Sequence, residues 1–94
     1  MIDRSLIKDF WQCGDNEVIE FAIHKARLNR LEKVVLCNLL DECMTQEETA
    51  EAMDISTRKV QNLWYSASEK LLSIPWVIAY SKELSNDKSN NTGF

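Results

Sequence analysis

Seven residues from Ser56 to Tyr65 carry the side chains best suited to work on another molecule: Ser56, Thr57, Arg58, Lys59, Gln61, Asn62 and Tyr65. Interleaved with them, Val60, Leu63, Trp64, Ala67, Leu71 and Ile74 recur at i, i+3, i+4 and i+7, which predicts one helix with an apolar stripe and a polar outer face. Arg58 could donate in fork geometry to guanine, Gln61 or Asn62 could pair with adenine, and Thr57 and Lys59 suit phosphate oxygens. The same residues also describe a merely solvated helix face. The elements that hold them therefore decide how they are read.

Catalysis has no comparable set. His24 is the single histidine, no glycine-rich phosphate loop is present, and the adjacent acids Asp41-Glu42 and Glu47-Glu48 diverge by about 100° on a helix instead of converging. Cys13, Cys37 and Cys43 cannot all pair and have no C-x-x-C spacing, so reduced, packed thiols are expected and a zinc site is not. No enzyme activity, metal or cofactor is expected.

Around that helix, 94 residues with 45% apolar content, two glycines and one proline give one small all-α domain. Leu6, Ile7, Phe10 and Trp11 form one face of a first helix from Ser5 to about Gln12, which Gly14 is placed to stop. Asp15 or Asn16 can cap a second helix, with Val18, Phe21, Ala22 and Leu28 as its inward stripe. Asn29 and Glu32 have capping-box spacing and open a third helix, Arg30 to about Cys43, with Leu31, Val35, Leu36, Leu39, Leu40 and Cys43 inward. Thr45 and Glu48 complete a T-x-x-E box for a short fourth helix in which Ala50 and Met53 face inward. Ser56 caps the fifth, and Pro75 interrupts it or opens a sixth, capped by Ser73, with Trp76, Val77, Tyr80 and Leu84 on its apolar side. Residues 1–84 are thus read as one helical domain and residues 85–94 as a disordered tail.

Thr45 to Ser73 then reads as two helices joined by Met53-Asp54-Ile55, with Ala50 small where they cross and Ile55 plugging the crossing from beneath. That is the layout of a helix-turn-helix. Within the wider core 28–73, the span from Leu28 to Leu72 resembles region 4 of the sigma-70 family and the sigma-like regulators of phages and mobile elements. The matching parts are Leu28, Glu32, Val35-Leu36, Thr45 to Ala50, Ile55-Ser56 and Ala67 to Leu71. Asp54 stands where the family's turn usually has glycine. The resemblance implies a small helical bundle whose helix from Ser56 reads double-stranded DNA, and a transcription regulator or region 4 mimic, since the chain has no room for the other sigma regions.

Charge limits that expectation. The net charge is -4, whereas phosphate binding favours basic proteins. By segment, Lys25 to Lys33 is net +3, Ser56 to Ser73 net +2, and Thr45 to Ile55 net -4. Lys25, Arg27, Arg30 and Lys33 are therefore candidate phosphate contacts, and binding should be weak unless a homodimer or a partner on the DNA assists. The acidic total equally suits an alternative, a protein-interaction module that binds RNA polymerase or another regulator through a helix-turn-helix scaffold. No run is long and apolar enough for a membrane span and the first residues lack a secretion signal, so a cytoplasmic protein is expected.

Overall fold

The apolar stripes close into a bundle of six α-helices, and the computed structural model describes residues 5–91, with side chains to residue 84. In order these are α1 (Ser5–Cys13), α2 (Asn16–Ala26), α3 (Arg30–Leu36), α4 (Gln46–Met53), α5 (Thr57–Leu72) and α6 (Pro75–Asn91), with no strand among the described residues. A π-helical turn, Cys37–Asp41, continues α3.

Two cores share the work. The larger joins α1, α2, the end of α3, α5 and α6 around Ile7, Phe10, Ile19, Ala22, Leu36, Leu71 and Val77. Phe10 is fully buried and meets Tyr80 edge to face at 5.8 Å between ring centroids, and the Tyr80 hydroxyl accepts from the Asp15 amide at 3.2 Å. Gly14 sits at this joint, where a Cβ would press into the Phe10 carbonyl oxygen and lie 3.3 Å from the Tyr80 ring. The smaller core is Val35, Ala50, Val60 and Leu63, and it ties α3, α4 and α5 into one unit. Leu39 and Trp64 pack against both, so the two cores are continuous.

Both capping boxes form. Glu32 N donates to Asn29 Oδ1 at 2.8 Å and Asn29 N to Glu32 Oε1 at 2.9 Å, which starts a new helix after Arg27 takes the left-handed conformation (φ 57°). One unbroken helix from Asn16 onward is thereby excluded.

Several inward assignments need correction. In α2 the buried residues are Ile19 and Ala22, and Phe21 is 58% exposed. Ala22 and Leu28 are buried as expected, and Ile19 takes the inward place that Phe21 was expected to fill. Leu31 is also exposed, because Glu32 occupies the inward position beside it. The expected α-helix to Cys43 changes to π at Cys37, where Glu42 N reaches back to Cys37 O at 3.0 Å. The wider turn shifts the helical phase of the residues after it and leaves Cys43 exposed in a left-handed conformation (φ 54°). Cys13 and Cys37 are exposed as well, so the expectation of packed thiols fails for all three cysteines. Partial desolvation and the carboxylates of Asp41, Glu20 and Glu42 push the Cys37 thiol above its ordinary pKa, which keeps it protonated at neutral pH.

At the C-terminal end, Ser73 does not cap α6. Its hydroxyl donates to Lys70 O at 2.7 Å and it closes α5 instead. The helix opened by Pro75 runs to Asn91, past the expected stop at Leu84, since no glycine or proline intervenes before Gly93. The last three positions of the expected tail, 92–94, lie outside the described residues.

Candidate nucleic-acid interface

The interface candidate is built on α4, the turn after it, and the N-terminal half of α5. Thr45 fixes the start of α4: Glu48 N donates to Thr45 Oγ1 and Thr45 N to Glu48 Oε1, both at 3.0 Å. Asp54 ends the helix in the left-handed conformation (φ 56°), with Asp54 N donating to Glu51 O at 3.2 Å and Ile55 N to Ala50 O at 3.0 Å. This pair of bonds is the Schellman arrangement, and the apolar contact that accompanies it is supplied by Ile55 packing on the core that contains Ala50. Two residues later Ser56 Oγ accepts from Lys59 N at 3.1 Å and α5 begins. Caps on both sides of three residues thus set the angle between α4 and α5.

Val60, Leu63, Ala67 and Leu71 bury one face of α5. At about 100° per residue, Gln61, Tyr65, Arg58 and Asn62 then lie within an arc of about 100° on the opposite face. All four are exposed, Tyr65 by 42%. Continuing the line from Gln61 through Tyr65 leads to Ser68 and Leu72, which are buried where α5 joins the larger core. The outward face therefore ends near Tyr65, a limit the sequence pattern does not reveal. Glu69, exposed one turn past Tyr65, puts a carboxylate at that end.

The expected contact residues are not equivalent. Arg58, Lys59, Gln61 and Asn62 are exposed, and Thr57 is half-buried. Lys59 points about 60° beyond Asn62, toward the edge of the arc where a backbone contact is more natural than a base contact. Ser56 is exposed, but its oxygen already accepts the capping bond. Gln61 Nε2 approaches Gln46 Oε1 at 3.5 Å, a contact at the outer limit of a hydrogen bond that leaves the amide easy to redirect.

The four candidate phosphate contacts are split. Arg27 and Lys33 line one groove with His24 and the Glu20 carboxylate. Lys33 also lines the neighbouring groove with Glu20 and Asp41. Arg30 is exposed in the first turn of α3. Lys25 is exposed one helical turn after Phe21, on the other flank of α2.

A buried carboxylate positions the whole unit. Glu32, fully buried, accepts from Ser66 Oγ at 2.6 Å and from Lys70 Nζ at 2.7 Å while its other partner, Asn29 N, completes the cap of α3. Burial pushes its pKa up, but the Lys70, Ser66 and Asn29 bonds outweigh that and hold it below the ordinary glutamate value. Lys70 is thus committed to Glu32, and the positive charge that α5 can show to a ligand is that of Arg58 and Lys59. Only half of this hub is visible locally: Asn29 and Glu32 have capping spacing, while Ser66 and Lys70 lie 34 and 38 residues from Glu32.

Compared with known proteins, the chain matches no family model, no curated protein and no solved structure.

Proposed function

We propose that this chain is a DNA-binding regulator of transcription whose helix α5 enters the major groove, with α4 as the supporting helix. The observation that carries the reading is the outward arc of Arg58, Gln61, Asn62 and Tyr65, held at the N-terminal half of a helix whose other face is buried. In helix-turn-helix proteins the N-terminal residues of the second helix meet base edges, and the arc lies where such contacts are made. Arg58 is assigned to guanine, Gln61 and Asn62 to adenine, Lys59 and Thr57 to phosphate, and Tyr65 to the rim. Ser56 serves first as the cap. The likeness of Leu28 to Leu72 to sigma region 4 supports the same reading, with Asp54 filling the turn as a left-handed residue.

Selection of bound fragments from a random duplex pool tests it. A recovered motif of a few base pairs, lost when Arg58 and Asn62 are both replaced by alanine, is the expected outcome. An unenriched pool at low salt would reject it.

A second reading is favoured by the exposed Glu47, Glu48 and Glu51 on the supporting helix and by the net charge of -4. In it, the same scaffold docks on a protein such as RNA polymerase. Retention on heparin distinguishes the two, because phosphate-like polyanions attract only the first kind of surface.

A further inference from the structure

Phe21 and Trp76 are large, apolar and exposed on two adjacent helices, where most side chains of their kind are buried. They touch each other, with ring centroids 5.8 Å apart, and together with Val18 and Tyr80 they line an open groove of about 410 Å³ between α2 and α6. Its one charged neighbour in the lining is Glu17. On α2, Glu17, Phe21 and Lys25 follow at i, i+4 and i+8, so they form one exposed ridge with an acid at one end, a ring in the middle and a base at the other. Such a ridge is its own complement. Laid antiparallel about a two-fold axis at Phe21, it sets Glu17 of each copy against Lys25 of the other and stacks the two Phe21 rings.

We propose that this α2–α6 face is the two-fold contact between two copies of this chain. The antiparallel arrangement also opposes the two helix dipoles and covers the Phe21 and Trp76 rings. The recognition arc on α5 is no part of the ridge. The contact does not rest on the DNA-binding reading, and its test needs no DNA, so failure here would leave that reading standing.

The test is sedimentation equilibrium of the full chain over a concentration series, with four charge and ring variants of the ridge. The wild-type chain should self-associate to a dimer and no further, more weakly as salt is raised. Glu17→Lys sets Lys against Lys25 twice in the dimer, and Lys25→Glu does the same with acids. Each should weaken dimerisation about tenfold, since each change turns two attractive pairs repulsive. The weakened dimers should gain from added salt, which screens repulsion. The double variant E17K/K25E restores opposite charges across the axis and should recover most of the wild-type affinity. Phe21→Ser should abolish the dimer with the helical circular dichroism retained, because Phe21 is exposed. At dilution, where every variant is monomeric, the double variant should melt slightly lower than either single variant, because both of its charges oppose the dipole of α2. A monomer at high micromolar concentration would overturn the proposal, and so would a dimer indifferent to the single charge reversals or one that the double variant fails to rescue.

Discussion

Glu32 shows how much of the unit around α5 depends on one side chain. It caps α3, accepts from Ser66 and carries the charge that pairs with Lys70, and its side chain is about 1% exposed. Glu32→Ala leaves Asn29 N, Lys70 and Ser66 without their acceptor while Asn29 Oδ1 still receives the backbone amide of residue 32, and urea unfolding should show a loss of about 2–4 kcal/mol. Glu32→Gln keeps one acceptor oxygen, which can still serve Asn29 N, while its amide NH2 can donate to the Ser66 hydroxyl, and it should lose less. The pH dependence has a definite sign. Because the folded-state pKa is lowered, the unfolded chain takes up this proton first as acid is added. The stabilisation is fully present above the ordinary glutamate pKa of about 4.3 and is lost as pH falls through the folded value. Stability should therefore drop on acidification below about pH 5 more steeply for the wild type than for Glu32→Gln, as chemical denaturation at each pH would show. Asn29-x-x-Glu32 is legible in the sequence because both ends of a cap lie within one turn. The inward direction of Glu32 is not, since Ser66 and Lys70 become its neighbours only when α5 folds back on α3.

At the scale of elements, caps and stripes are readable where the signal is local. Thr45, Glu48 and Ser56 bound α4 and α5 as their spacing predicts, and the stripe from Val60 to Leu71 is buried. Phe21 departs from its expected place because α2 carries two overlapping apolar stripes, and periodicity cannot choose between them. Ala22 is common to both, and the burial of Ile19 on the bundle chooses. Nor does sequence reveal the π-helical turn, which is pinned by Trp11 Nε1 donating to Asp41 Oδ1 at 2.9 Å and Gln12 Nε2 to Leu40 O at 3.2 Å, both from α1. The turn between α4 and α5 gives a direct test of the left-handed residue: Asp54→Ala should destabilise the chain by about 1 kcal/mol, while Asp54→Gly should be neutral or stabilising. Thermal melts separate these outcomes. Gly14→Ala should cost about 1–3 kcal/mol in the same assay, because the added methyl meets backbone and not a side chain that can swing away.

For the whole molecule, charge and its placement govern the function proposed. The Glu32–Lys70 pair neutralises one positive charge of the α5 segment, and the Glu20 carboxylate shares a groove with Arg27 and Lys33. The cations that α5 itself can offer are thus Arg58 and Lys59, so a single copy should bind DNA weakly and with a shallow salt dependence. The direct test of α5 as the reading element is fluorescence anisotropy with a duplex recovered by selection, comparing wild type, Lys59→Ala and Arg58→Ala at several salt concentrations. Arg58→Ala should lose about 1–3 kcal/mol on the selected duplex and little on random DNA, while Lys59→Ala should weaken both alike and lower the salt slope by about one. Equal binding of the selected duplex by wild type and Arg58→Ala, or no binding by the wild type at about 50 mM salt where phosphate attraction is strong, would contradict the account.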